Sequence, residues 1–315
     1  MATLVTLLYR LFYPQRVLSS LHRWFLALRL YLLGLGTTQA PLGLHLQQII
    51  KDSAEYNAAH PLQDNFCPSF SPRDGPVVAT RITRGISYYF TTSVFVKRQP
   101  HVDELGLDLY GQPVVIPYIA DRLRNEAAAL QFIRAYTSIP VPVFLSLWEE
   151  NGLVHLKTGM VCHGIELRSV SKSLLPTAIE RVTAQLESDI LPQLQRLRRR
   201  FIGSANPLLP VVVPHLLWEW KDTRTWPQVT AETDEFVFVH TDLDRQNILV
   251  DPDTFHIVCI LDWETAGFFP PAWELPKWKV EERSQEKYRM TMEAKKRQLA
   301  FFGTDFLDED GDKYK

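Results

Sequence analysis

The sequence predicts an α+β protein with two lobes, a small antiparallel sheet followed by a mainly helical part. Residues 77–98 alternate in the manner of strands, whereas residues 119–136 have helical composition and spacing. Further apolar strand-like runs surround a polar loop within residues 236–264. With 315 residues, of which 46% are hydrophobic and 22% charged, the chain is long enough for one bilobal domain and an extension.

The first 36 residues are apolar and basic, and residues 1–51 contain no acidic side chain. Two arginines would lie inside any 20-residue span, which argues against a membrane-crossing helix. Three interpretations stay open: a helix packed on the folded domain, a basic amphipathic helix giving peripheral membrane contact, and a mitochondrial-type presequence. We therefore predict an N-terminal extension and linker over residues 1–70, with irregular chain marked by prolines across residues 37–76.

Residues 77–98 fit two antiparallel strands joined by a turn, and Lys97 ends the second strand. Taken alone, this lysine is best interpreted as a solvated strand end. The helix predicted at residues 119–136 contains Glu126, which on its own would be an exposed glutamate paired with Arg122 at i,i+4.

After the helix predicted at residues 119–136, the sequence predicts one more strand and one more helix before the polar loop. The Ile-Pro-Val-Pro segment at residues 139–142 ends the predicted helix, and residues 153–162 form the predicted last strand of the first lobe. Residues 173–200 predict an amphipathic helix that is interrupted near Pro192.

A polar loop at residues 240–247 lies between two apolar strand-like runs at residues 236–239 and 248–250. A turn at residues 251–254 then leads to a third strand at residues 256–261. The polar side chains of this loop are therefore expected to be held between buried β segments.

His240, Asp242 and Asn247 of this loop have the spacing His-x-Asp-x-x-x-x-Asn, and Asp262 follows the third strand. Phosphoryl transfer requires a carboxylate near the attacking hydroxyl and oxygen ligands for magnesium. Asp242 would orient or deprotonate the nucleophile, whereas Asn247 and Asp262 would hold the metal ion. A structural loop made of common polar residues is the alternative interpretation.

The same block resembles the aminoglycoside phosphotransferase and choline kinase group of the protein-kinase-like superfamily. Its loop matches the catalytic loop of that group, and Leu261-Asp262-Trp263-Glu264 matches the I-D-W-E metal segment, with leucine in place of isoleucine. Residues 266–274, AGFFPPAWE, are similar to the tail of this motif in fungal members, and residues 211–227 are similar to the segment that precedes the loop. The resemblance covers residues 75–280 and indicates a fungal phosphotransferase-domain protein.

This resemblance implies a bilobal protein-kinase-like fold in which ATP and Mg²⁺ lie in the cleft between the lobes. Lys97 would hold the nucleotide phosphates, Glu126 would pair with Lys97, and His240 would brace the catalytic loop. Residues 163–167 would form the hinge whose backbone binds adenine. The single glycine of the first strand loop, Gly85, departs from G-x-G-x-x-G and favours the alternative of a nucleotide-binding pseudokinase or interaction module without turnover.

The composition restricts which partners the protein is expected to bind and which cellular compartment suits it. A net charge of −2 without a basic stripe argues against nucleic-acid binding. Three widely spaced cysteines without a C-x-x-C pair favour a reducing compartment. We therefore expect a monomeric, cytoplasmic protein, with a mitochondrial or membrane-surface location as the alternatives that residues 1–36 leave open.

The predicted function is ATP- and Mg²⁺-dependent transfer of phosphate to a hydroxyl of a small molecule. After the extension, residues 71–163 would form the first lobe and residues 164–315 the second, including a charged tail. A cationic acceptor would need an acidic groove, for which three carboxylates are candidates: Asp244, Glu264 and Glu274.

Overall fold

The structure consists of a five-stranded antiparallel sheet followed by a lobe of helices, turns and two smaller sheets. The computed structural model describes residues 42–61, 64–83, 85–107, 110–112, 114–116, 118–218 and 225–303. The interpretations of residues 1–36 lie outside these ranges.

The helices of the described ranges are α1 (Leu44–Ala59), α2 (Val102–Leu105), α3 (Ile119–Tyr136), α4 (Leu175–Gln185), α5 (Leu191–Arg196) and α6 (Gln285–Phe301). The strands are β1 (Val77–Arg81), β2 (Ser87–Thr91), β3 (Val94–Arg98), β4 (Phe144–Glu150), β5 (Leu153–Gly159), β6 (Ile165–Glu166), β7 (Arg198–Arg199), β8 (Phe236–Val239), β9 (Ile248–Val250), β10 (Ile257–Ile260) and β11 (Gly267–Phe269). None of these helices is long and apolar enough to cross a membrane.

The large sheet has the strand order β1-β2-β3-β5-β4, and every pairing is antiparallel. Residues 77–98 form three strands rather than the predicted two. The reason is a tight turn after β2, where Oγ1 of Thr91 accepts hydrogen bonds from the backbone N–H groups of Ser93 (3.1 Å) and Val94 (2.8 Å). This side chain supplies the turn that the alternating pattern alone does not reveal.

Helix α1 occupies part of the segment where the sequence analysis expected irregular chain. It is held against β1, because the side-chain amide of Asn57 donates to the carbonyl of Thr80 at 2.7 Å and Arg81 lies over the Tyr56 ring. Tertiary contacts of this kind stabilise a helix whose own amphipathic pattern is weak.

Helix α3 has the predicted bounds and joins the two lobes. Leu123 and Ala127 pack into a core beneath the large sheet, whereas Leu130 and Ile133, one and two turns further on, pack into the core of the second lobe. The α+β architecture, a small antiparallel sheet followed by a helical part, is confirmed.

The second lobe is organised around two three-stranded sheets, with the orders β10-β9-β6 and β11-β8-β7. The helix predicted at residues 173–200 is interrupted, but the interruption lies before Pro192 and the helix ends at Arg196. A π-helical turn at Leu186–Ile190 separates α4 from α5, and Arg198 and Arg199 pair with β8 as strand β7. Pro192 lies in the first turn of α5, where its missing N–H group costs little.

Candidate active site

The central strand of the large sheet carries Lys97. Successive residues of a strand face opposite sides of the sheet, so Val96 packs into a small core while Lys97 faces the interior of the cleft. The side chain is only 7% exposed, and its Nζ donates to Oε2 of Glu126 on α3 at 2.6 Å and to Oδ1 of Asp262 at 2.6 Å. Lys97 is therefore a buried, doubly paired cation and not a solvated strand end.

The charges of Lys97, Glu126 and Asp262 shift one another's pKa values. Burial alone would lower the pKa of Lys97, but the negative charges of Asp262 and Glu126 raise it well above the ordinary value. Burial raises the pKa of Glu126, against the opposing effect of Lys97. Burial would also raise the pKa of Asp262, yet the Lys97 charge and hydrogen bond hold it below the usual range. Lys97 and Asp262 are thus stabilised in their charged forms.

The catalytic loop predicted from the sequence lies between β8 and β9, whose residues are all buried. His240 is fully buried and packs on Trp263, with 4.5 Å between the ring centroids. Its Nε2–H donates to the carbonyl of Leu261 at 2.8 Å, and its Nδ1 accepts the N–H of Asp242 at 3.3 Å. Burial lowers the pKa of His240, so a neutral imidazole ties the loop to the residue before Asp262.

Asp242 presents a partly exposed carboxylate, with 20% of its side chain accessible. The amide nitrogen of Asn247 donates to its Oδ2 at 3.1 Å and to its backbone carbonyl at 2.8 Å. Nζ of Lys277 donates to Oδ1 at 2.8 Å, and Nε2 of His215 lies 3.8 Å from the same oxygen. Both carboxylate oxygens therefore have a fixed partner while one side of the group stays open.

Asp262 follows β10, and the backbone joins it to the catalytic loop. The N–H of Leu261 donates to the carbonyl of Asn247 at 2.8 Å, so the side chains of Asn247 and Asp262 line one cavity. Trp263 points into the core, where it is fully buried and its indole N–H donates to the carbonyl of Ile260. Asp262 itself remains 36% exposed towards the cleft.

The oxygen donors near Asp262 suit a hard divalent cation. One carboxylate oxygen from each of Glu126, Asp262 and Glu264 lies within 4.8 Å of the others. Asn247 adds a side-chain oxygen in the same cavity, because its amide nitrogen is the atom that binds Asp242. Carboxylate and amide oxygens are the ligands that Mg²⁺ prefers. Asp262 and Asn247, the two predicted ligands, therefore fit such an ion.

The three carboxylates proposed for an acidic acceptor groove have internal partners instead. Glu264 binds the guanidinium of Arg122, and Asp244 binds Nζ of Lys287 at 2.5 Å. Glu274 accepts the backbone N–H of His240 at 2.6 Å, and burial raises its pKa to about 7. These side chains hold the site together and do not offer free negative charge to an acceptor.

A cavity of about 320 Å³ lies between the large sheet and the second lobe. Lys97, Glu126, Asn247 and Asp262 line its inner part. Helix α1 lines its outer part, together with the chain that follows β5. That chain connects the lobes between β5 and β6, which places the connection at residues 160–164 rather than the predicted 163–167.

Four of the six predicted site residues line the cleft, and the other two, Asp242 and His240, are connected to them by hydrogen bonds. Lys97, Glu126 and Asp262 form one bonded group, and Asp242, Asn247 and His240 form another around the loop.

Sequence reasoning missed Lys277 and His215, the two cationic or titratable partners of Asp242. Lys277 comes three residues after Glu274 at the end of the AGFFPPAWE motif, but this closeness does not reveal its contact with Asp242.

The model of the phosphotransferase enzyme family, APH, matches residues 115–279, just over half of the chain. A search of curated proteins found no significant match.

Among solved structures, aminoglycoside phosphotransferase APH(3'')-Id from Streptomyces rimosus is 19% identical, with a TM-score of 0.40, covering 74% of this chain and 87% of that one. An aminoglycoside-3'-phosphotransferase of type VIII is 17% identical, with a TM-score of 0.41 and coverages of 80% and 96%. Wild-type aminoglycoside 2'-phosphotransferase-IIIa in its GDP complex is 12% identical, with a TM-score of 0.39 and coverages of 79% and 83%.

These identities and TM-scores are low, so the assignment rests on the family model, whose match includes the complete catalytic loop and Asp262. The chain belongs to the APH phosphotransferase enzyme family.

Proposed function

We propose that this protein transfers the γ-phosphate of ATP to a hydroxyl group of a small molecule, with Mg²⁺ bound in the cleft. One observation carries the proposal. Lys97 and Glu126 come from β3 and α3, whereas Asn247 and Asp262 come from two separate loops of the second lobe, yet these four side chains line a single cleft, and Asn247 holds Asp242 beside it. A purely structural loop would not require this convergence.

Lys97 is proposed to contact the phosphates of the nucleotide, and Glu126 keeps its ammonium group in place. Asn247 and Asp262 would hold the metal ion, which when bound neutralises charge on the phosphates. His240 and Trp263 keep the two ligand-bearing segments in register, since the imidazole bonds to the backbone immediately before Asp262.

Asp242 is proposed to accept the proton of the acceptor hydroxyl. The acceptor oxygen then forms a bond to the γ-phosphorus as the bond to the bridging oxygen breaks, and ADP leaves with that electron pair. Positioning and charge neutralisation supply most of the rate enhancement in such reactions. The contact of Oδ2 of Asp242 with the Asn247 amide supports this function because it orients the carboxylate in advance.

The acceptor is proposed to be a small molecule, as in the family. One solved relative was crystallised with ADP and streptomycin. For this chain, Asp244, Glu264 and Glu274 already have internal hydrogen-bond or ion-pair partners, so we do not assign them to a polycationic antibiotic. A monomeric state and a cytoplasmic location stay predictions from the sequence.

A thermal unfolding titration tests the nucleotide site. ATP with Mg²⁺ is expected to raise the melting temperature of the wild type, because a ligand that binds only the folded state adds RT ln(1 + [L]/Kd) to its stability. Asp262→Asn should lose the Mg²⁺-dependent part of this rise. Asp253→Asn, an exposed aspartate in the turn after β9, is the matched control and should behave as wild type.

Absence of any rise at millimolar Mg²⁺–ATP would contradict the proposal. A rise without phosphoryl transfer would favour the binding-only alternative that Gly85 raised.

A further inference from the structure

Lys277 is a buried lysine that no part of the proposed chemistry has yet used. It lies in the short turn Lys277–Lys279, which follows β11, and only 3% of its side chain is exposed. Its Nζ donates to Oδ1 of Asp242 at 2.8 Å and to the backbone carbonyl of Thr241 at 3.1 Å. Removing an ammonium group from water is costly unless charged and hydrogen-bonding partners replace the solvent, and both partners here belong to the catalytic loop.

The turn that carries Lys277 is itself fixed to that loop. Arg245 donates through Nε to the carbonyl of Trp278 at 2.8 Å and through a terminal nitrogen to the carbonyl of Lys279 at 3.2 Å. The Trp278 indole is buried and donates to Oγ1 of Thr183 on α4 at 3.0 Å. These contacts tie the turn that carries Lys277 both to the catalytic loop and to α4.

Lys277 and Asn247 hold different oxygens of the same carboxylate. Asn247 binds Oδ2 and Lys277 binds Oδ1, which fixes the side-chain torsions of Asp242. Asn247 is also a proposed metal ligand, and its side chain contacts only the Oδ2 atom of the Asp242 carboxylate. Lys277 provides the second, metal-independent contact.

We propose that Lys277 is the positioning residue for Asp242: it fixes the carboxylate in the orientation that receives the acceptor proton. The inference rests on the proposed phosphotransferase function and adds a residue to it from outside the catalytic loop. Lys277 acts through Asp242, since its described contacts are with the loop and not with the residues proposed to hold the nucleotide.

The test measures steady-state ADP production from Mg²⁺–ATP, with water as the acceptor, for Lys277→Met and Lys277→Arg. Methionine keeps the approximate length but removes the charge and the donors. We expect kcat to fall about 10²-fold, the effect of a small misplacement of a reacting group, with KM for ATP within about twofold of wild type. Arginine should recover part of the loss because it restores a charged donor.

Lys279→Met is the matched control. This lysine lies two residues away on the same turn, but its side chain is 41% exposed and pairs with Glu187 at the surface. Its kcat should equal that of wild type. A similar loss in both methionine variants would show that the turn, and not the contact with Asp242, matters, and would overturn the proposal.

A double-mutant cycle with Asp242→Asn separates action through Asp242 from direct action on the phosphate. If Lys277 acts through Asp242, adding Lys277→Met to Asp242→Asn should change kcat less than about threefold. Multiplied losses would overturn the proposal while leaving the phosphotransferase function intact. A wild-type protein without turnover, either with water or with any of a panel of small hydroxyl compounds, would instead refute the proposed function, and the role of Lys277 with it.

Discussion

Two residues of the candidate site, Thr241 and Asp262, have left-handed backbone conformations, with φ of +69° and +63°. Side chains with a Cβ rarely adopt this region, and when they do the surroundings must compensate for the strain. Oγ1 of Thr241 is bonded to Oγ1 of Thr265 at 2.8 Å, and Oδ1 of Asp262 is bonded to Lys97. Each strained residue thus has a side-chain contact that holds it, and each lies next to a group proposed to act in the reaction.

Glu274 makes the stability of the protein depend on pH. Burial raises its pKa from 4.5 to about 7. Between these values the folded state binds more protons than the unfolded chain, so the contribution of Glu274 to the free energy of unfolding falls as the pH rises. Glutamine can accept the same hydrogen bond from His240 but does not titrate.

As the pH rises from 5 to 8, we therefore expect the free energy of unfolding of Glu274→Gln to increase relative to that of the wild type, by on the order of 2 kcal/mol. Urea denaturation at a series of pH values measures this difference. Glu187→Gln, at an exposed carboxylate, is the control and should show no such trend. Parallel curves for wild type and Glu274→Gln would mean that Glu274 is ionised throughout.

At the scale of elements, the turn between β2 and β3 depends on Thr91. Its hydroxyl is buried, donates to the carbonyl of Asp74, and accepts two backbone N–H groups of the turn. Thr91→Val keeps the shape but leaves these groups without a partner, which should lower the free energy of unfolding by about 1–3 kcal/mol. Thr92→Val, at the exposed neighbouring position, should change it by less than about 0.5 kcal/mol. Equal effects in a denaturant titration would contradict this role for Thr91.

The placement of the polar loop at residues 240–247 could be predicted because its evidence is local: apolar strands on both sides hold His240, Asp242 and Asn247. The pairing of Lys97 with Glu126 could be expected only through the family resemblance, since the two residues come from separate elements. Lys277 could not be predicted, because its contact with Asp242 joins residues 35 positions apart through an irregular turn. Helix α1 was missed because it depends on tertiary contacts with β1 and has little amphipathic pattern of its own.

At the scale of the whole molecule, α3 links two hydrophobic cores across the cleft. Its first half contributes Leu123 and Ala127 to the core beneath the sheet, and its second half contributes Leu130 and Ile133 to the core of the other lobe. Glu126 lies between Leu123 and Ala127 in the first half, so the core beneath the sheet places the partner of Lys97, while the second half ties the same helix to the other lobe. Packing throughout the molecule therefore determines the geometry of the cleft.

Turnover by Asp242→Asn tests whether this cleft transfers phosphate. ADP production from Mg²⁺–ATP should be measured for wild type and variant, alongside nucleotide affinity by calorimetry. We expect wild type to turn over and Asp242→Asn to lose about 10²–10⁴-fold in kcat, the usual contribution of a general base, with its affinity for Mg²⁺–ATP nearly unchanged. Equal turnover in both proteins would contradict the proposed role of Asp242, and no wild-type turnover with water or with any of a panel of small hydroxyl compounds would contradict the proposed phosphoryl transfer.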